Sequence, residues 1–205
     1  MKRLDGAGIA AAARRLASID DGLATLLRED GVPPLWGRAP SYATLVRIIL
    51  EQQVSLASAR SVYRRLQQAH GPLTPSKIRA SGADGLRGCG VTRQKARYMG
   101  LIAEEIDSGR LDLTGLSRLD DDAVRRTLTA ITGIGPWTAE CYLLVALKRP
   151  DVWPAGDIAL QEAVRVLRGL KKRPDLDRLT DLADDWRPHR ATAARMLWQR
   201  YLKGR

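Results

Sequence analysis

Apolar residues recur at helical spacing in nearly every segment of this chain. After Ser41, the positions Leu45, Val46, Ile48, Ile49, Leu50, Val54 and Leu56 predict one helix that is apolar on most sides. Pro75 stands where a helix N-terminus tolerates proline. Asp120, Asp121 and Asp122 precede Val124 and Leu128, placing negative charge at the start of another helix. Pro136 opens a helix through Ala139, Tyr142, Leu143, Val145 and Ala146; it is expected to close on Lys148 and Arg149 before Pro150. Asp157 reads as the N-cap of a helix through Leu160, Val164 and Leu167, and Pro188 as the opening of the last, which carries Met196, Leu197 and Tyr201. No alternating strand pattern competes, so the fold class is all-α.

The 205 residues suffice for one domain with a core, and 44% apolar with 28% charged residues is an ordinary globular composition. No apolar run approaches the roughly 18 residues of a membrane span. The start is basic, at Lys2 and Arg3, but Arg14 and Arg15 make the next stretch too polar for a secretory segment, so a cytoplasmic protein with no membrane partner is expected. Cys89 and Cys141 lie far apart without a neighbouring cysteine, which supports neither a disulfide framework nor a zinc or iron–sulfur site. The net charge of +11, from 34 Lys and Arg against 23 Asp and Glu, is the electrostatic footprint of a nucleic-acid binder, although it names no activity.

Leu128–Ala139 reads as helix, two-glycine turn, helix, with Thr132-Gly133-Ile134-Gly135 as the turn. Glycine lets the backbone take positive φ or approach a partner closely. The amides opening the next helix then point outward, where they can hold a phosphate. A helix C-cap followed by a proline-started helix gives the same letters, so the turn alone is weak. Twenty-two residues beyond Gly135 comes Asp157, approached by Pro154-Ala155-Gly156.

This pairing resembles the helix-hairpin-helix, Gly/Pro-rich, aspartate superfamily of base-excision DNA glycosylases. Ile48-Ile49-Leu50-Glu51-Gln52-Gln53-Val54-Ser55 looks like that family's glutamine-rich helix end, and Gly90-Val91-Thr92-Arg93-Gln94-Lys95-Ala96 resembles its turn into a helix. Trp186-Arg187-Pro188-His189-Arg190-Ala191 with Leu197-Trp198 resembles the C-terminal segment of the DNA-3-methyladenine glycosylase II branch. The resemblance spans roughly residues 36 to 200. It implies two helical subdomains flanking a cleft within one domain over 1–205: residues 36–150 with the hairpin, and 1–35 plus 151–205 with the aspartate. In relatives that also cut the strand, a lysine follows the turn and attacks the sugar. Here Trp137 stands there, so base release without lyase activity is expected. The four-cysteine cluster of other branches is absent, so no iron–sulfur cofactor is expected.

The resemblance makes Asp157 the catalytic carboxylate, beside the positive charge that grows on the sugar as the base departs. Asp is also a common N-cap, which is its plainer use. Alkylated bases are electron-poor and leave readily, so they need aromatic faces more than a general acid. Trp137, Trp153, Tyr142 and Trp186 are the base-pocket candidates, although Trp153, Trp186 and Trp198 serve equally well as core residues. His70 and His189 read as surface or structural. DNA contacts fall on Gly133, Ile134, Gly135, Thr138, Gln52, Gln53, Ser55, Arg93 and Lys95, with Gln53 where relatives insert a side chain into the duplex. The Lys171-Lys172-Arg173 run adds charge. A Na+ or K+ ion held by the Thr132 and Ile134 carbonyls is the one cofactor implied. The expected partner is double-stranded DNA with damaged bases, met by a monomer, on the nucleoid if the source is bacterial. Two alternatives stay open: the same fold acting on uracil, mismatched or oxidised bases, and a non-catalytic hairpin module with no use for Asp157.

Overall fold

A computed structural model describes residues 3–204. Its helices are α1 Gly6–Ala17, α2 Asp21–Asp30, α3 Tyr42–Glu51, α4 Leu56–His70, α5 Pro75–Gly88, α6 Arg93–Asp107, α7 Asp121–Thr129, α8 Pro136–Val145, α9 Ile158–Leu167, α10 Leu176–Asp184 and α11 Arg190–Lys203, with a 3₁₀ turn at Gly115–Arg118. No strand occurs among the described residues. Helices α1 to α7, α9 and α10 each begin on an Asp, Ser or Thr whose side chain accepts a hydrogen bond from a first-turn amide. Those amides have no partner inside the helix, so each cap both fixes a boundary and satisfies a donor.

The chain forms two compact units, one running to Gly37 and resuming at Leu143, the other Arg38–Tyr142. Sequence reading divides the chain after residues 35 and 150; the second division falls instead inside α8. In the first unit, α11 packs on α1, α2 and α9. Arg190–Leu197 of α11 are buried throughout, beside Ile9, Leu16, Leu23, Leu160, Val164 and Trp186. Arg195 lies in this core, its guanidinium donating to the carbonyls of Leu35 (2.9 Å), Ala191 (2.8 Å) and Leu144 (2.8 Å). In the second unit, α3 packs on α4 and α6, and α5 on α6. Tyr42, Leu45, Val46, Ile48, Ile49 and Leu50 fill its centre, close to the all-round burial expected.

Three boundaries depart from the sequence pattern. Val54 and Leu56 are not part of α3: both are exposed, beyond the helix end at Glu51. Helix α8 stops at Val145 instead of running to Arg149. There the Arg149 amide turns back to Leu143 O (3.0 Å), Leu4 N donates to Lys148 O (2.8 Å), and Lys148 takes φ +56°. A local turn and one distant partner, Leu4, therefore end this helix before Pro150 can. Helix α11 begins at Arg190 rather than Pro188, because His189 has left helical geometry at ψ +18°.

Candidate functional site

Each unit carries one part of the predicted chemistry. In the second unit, the hairpin joins α7 to α8. Gly133 has φ +97°, and a Cβ there would stand 2.3 Å from Tyr98 Cγ, so the turn needs glycine both for its backbone and to admit the ring. Gly135 differs: its φ is not left-handed, and a methyl placed on it would meet no atom of the described residues within 4 Å. No internal contact demands glycine at that position. Ile134 is buried and anchors the turn, its amide donating to Ile131 O at 3.0 Å. Pro136 then opens α8 with no N–H to satisfy.

The glutamine pair after α3 divides between two tasks. Gln52 Nε2 donates to Gly133 O (3.0 Å) and to Thr138 Oγ1 (2.9 Å), using both amide protons on the hairpin. Lys95 Nζ donates to Leu50 O (2.9 Å) and Gln52 O (2.8 Å). Burial holds its ammonium below the ordinary lysine range. Gln52, Thr138 and Lys95, all expected on DNA, are thus turned inward: the carbonyls at the end of α3 and in the hairpin require donors, and these side chains supply them. Thr138 is also buried. Gln53 is the opposite case, exposed and held at φ +55°. Ser55 caps α4, its Oγ accepting from Ser58 N at 3.2 Å, and Arg93 is exposed at the start of α6.

In the first unit, Asp157 caps α9. Its Oδ1 accepts the Leu160 amide at 2.9 Å and the Trp198 indole N–H at 3.1 Å. The preceding loop is latched at its start: Arg190 Nε donates to Asp151 Oδ1 (2.8 Å), Arg190 Nη2 to Asp151 O (2.9 Å), and Ala191 N to Pro150 O (3.1 Å). Asp157 itself is half-buried, and Ile158 beside it is exposed. The carboxylate therefore sits at the positive end of a helix on a loop fixed at both ends. Sequence reading missed Trp198 as a partner of Asp157, and it missed the Asp151–Arg190 latch. Forty-one residues separate the first pair and no spacing rule joins them.

The aromatic candidates do not share one environment. Trp186 is wholly buried, its indole N–H donates to Asp20 Oδ2 at 2.8 Å and Arg168 covers its ring at 5.5 Å, so it is a core residue with no open face for a base. Burial raises the Asp20 pKa, but bonds from Trp186, Leu23 and Arg168 outweigh that and hold it below the ordinary carboxylate range. Trp153 is buried against Trp186 edge to face, centroids 5.5 Å apart, which places it in the same core. Tyr142 is fully buried on α8, and its hydroxyl has no hydrogen-bond partner among the described residues. Trp137 is half-buried in the first turn of α8. His70 lies near Ser81 Oγ (3.3 Å) and Cys89 Sγ (3.9 Å). Both cysteines are buried thiols outside any disulfide.

No helix among the described residues is long and apolar enough to cross a membrane. Bacillus subtilis YfjP is 28% identical over 86% of this chain and 64% of its own length. The Schizosaccharomyces pombe protein named DNA-3-methyladenine glycosylase 1 is 32% identical over 77% of this chain and 71% of its own. A solved structure of the S. pombe 3-methyladenine DNA glycosylase Mag1 with abasic DNA superposes with a TM-score of 0.78 at 28% identity, covering 92% of this chain and 95% of that one. The model of the HhH-GPD superfamily of base excision DNA repair proteins matches residues 46–188, the stretch that holds the Gln52–Gln53 turn, the hairpin and Asp157, and the chain belongs to that superfamily.

Proposed function

We propose that this protein is a monofunctional DNA glycosylase that hydrolyses the N-glycosidic bond of alkylated bases of the 3-methyladenine and 7-methylguanine type. The observation that carries the reading is Asp157: a carboxylate at the N-terminus of α9 whose Oδ1 takes two N–H donors. In the reaction the C1′–N bond breaks and its electron pair leaves with the base. Water then adds at C1′ and gives up a proton. Positive charge peaks on the sugar between these events, and a fixed carboxylate stabilises that state more than the ground state. An alkylated ring nitrogen already draws electrons, so the chain needs no dedicated general acid. Names of similar proteins support the substrate class.

Trp137 occupies the position of the lysine that relatives use to attack the sugar, which supports base release without strand cutting. The amides of Gly133 and Gly135, on either side of the internally bonded Ile134, would bind the phosphate backbone of duplex DNA, in the cytoplasm, and Gln53 would enter the duplex. The Thr132 and Ile134 carbonyls flank the Gly133 turn; a donor set of neutral oxygens suits a singly charged ion such as Na+ or K+. That ion would brace the turn and take no part in bond cleavage.

The test is release of methylated bases from duplex DNA, with breaks scored before and after alkali. Wild type should give free base and breaks only after alkali. Asp157→Asn should lower the single-turnover rate by roughly 10²–10³-fold or more, as lost transition-state stabilisation does, with DNA affinity retained. Full activity in Asp157→Asn would remove the carboxylate from the mechanism. Breaks without alkali would show a lyase.

A further inference from the structure

Lys95 lies behind the turn between α3 and α4, and the side chains on either side of it differ sharply in use. Its ammonium grips the Leu50 and Gln52 carbonyls, at the end of a helix whose last acceptors have no internal partners. From Gln52 the bonding continues to the hairpin through Gly133 O and Thr138 Oγ1. Because Gly133 O can only accept, the amide end facing it must be the NH₂. The next residue, Gln53, is exposed at φ +55°, a backbone state that non-glycine residues hold only where surroundings over-determine it. We propose that Lys95 is a positioning residue for DNA distortion: by holding the Leu50 and Gln52 carbonyls it keeps Gln53 outward as the wedge that fills the space of a displaced nucleotide, and through Gln52 it ties that wedge to the hairpin. The inference rests on the glycosylase reading and adds a lysine that acts without touching DNA.

Lys95→Met keeps most of the stem and removes every donor. Wild type, Lys95→Met, Gln53→Ala and the double variant are compared by fluorescence anisotropy on two duplexes, one undamaged and one holding a tetrahydrofuran abasic-site analogue. The affinity ratio between the duplexes reads the wedge, while thermal unfolding checks the fold. Each single variant should lower the ratio by about tenfold, and the double variant should fall no further than Gln53→Ala, since coupled residues are not additive. If Lys95→Met does not fold, Lys95→Arg, which replaces a compact donor with a planar fork, carries the same comparison with a smaller loss. A wild-type ratio in Lys95→Met, or full losses from both changes in the double variant, would overturn the proposal. A wild type with no preference for the abasic duplex would instead bring down the glycosylase reading, and this inference with it.

Discussion

Gly133→Ala and Gly135→Ala lie two positions apart and should fail in different ways. At Gly133 the new Cβ would stand 2.3 Å from Tyr98 Cγ and 2.6 Å from Cδ1, far inside contact distance, on a backbone at φ +97°. A left-handed backbone costs an L-residue roughly 1–2 kcal/mol, and forced overlap in a packed site roughly 1–3 kcal/mol more, so the loss is about 2–5 kcal/mol. For a chain of this length that lowers Tm by roughly 5–15 °C. At Gly135 neither cost applies, because the backbone is ordinary and the Cβ meets nothing among the described residues. Alanine there should leave Tm unchanged or slightly raised, through a less flexible unfolded chain.

Binding should separate the two again. A methyl at Gly135 would enter open space at the hairpin, where the proposed reading puts the phosphate. Losing one charge-assisted hydrogen bond is worth about 1.5–3 kcal/mol, or roughly 10- to 100-fold in affinity. The assays are thermal unfolding and anisotropy on duplex DNA. A Gly133→Ala protein that melts with the wild type would refute the packing argument. A Gly135→Ala protein that binds DNA normally would refute the phosphate role.

Three other outcomes rest on particular contacts. Trp198→Phe keeps an aromatic side chain, though a smaller one, and removes the N–H on Asp157 Oδ1, so single-turnover cleavage should slow by roughly tenfold or more while DNA affinity holds, as for a lost bond to a charged group; an unchanged rate would make that bond structural only. Arg195→Leu strips the donors from the Leu35, Ala191 and Leu144 carbonyls, and at about 1–3 kcal/mol for each buried acceptor left bare it should unfold the chain near ambient temperature by circular dichroism; a stable variant would show that water replaces the guanidinium. Above pH 10 stability should fall. Burial, and for Tyr42 also the charge of Asp107, pushes the Tyr42 and Tyr142 phenols above their ordinary value, so the unfolded chain releases protons that the folded chain keeps. Each contributes up to about 1.4 kcal/mol per pH unit of loss, and Arg195, lowered by burial to about 10, offsets one of them with the opposite sign. Tyr142→Phe, which removes a hydroxyl without a partner among the described residues, should therefore flatten the alkaline fall and leave Tm at pH 7 equal or higher; an unchanged slope above pH 10 in urea titrations would contradict it.

How much of this protein was legible in its sequence depends on which forces leave a periodic trace. Core burial does, so α3, α7 and α9 could be drawn from spacing, and caps such as Ser41, Asp120 and Asp157 marked their starts. Boundaries set by tertiary partners leave none. Val145 ends α8 because the Arg149 amide turns back to Leu143 O and the Leu4 amide takes Lys148 O, although the apolar run continues. Trp186 looked like a pocket aromatic because composition cannot reveal that Asp20 waits for its indole across 166 residues.

The same limit explains why the motif alone does not separate polar residues bonded within the chain from those left exposed. Gln52 and Gln53 are indistinguishable as letters, yet one faces Gly133 across 81 residues and the other faces solvent. A helix end beside a hairpin presents half-buried carbonyls without helical partners, and donors from within the chain satisfy them. A loop that is to hold its shape against a bound ligand therefore needs polar residues of two kinds, those that meet the ligand and those that fix the backbone beneath them. Gln53, Arg93 and Gly135 are exposed and free for the first task on the proposed reading, whereas Gln52, Thr138 and Lys95 are bonded within the chain and serve the second. Since both kinds cluster around the same motif, proximity in sequence identifies the site, and only the hydrogen-bond geometry divides its labour.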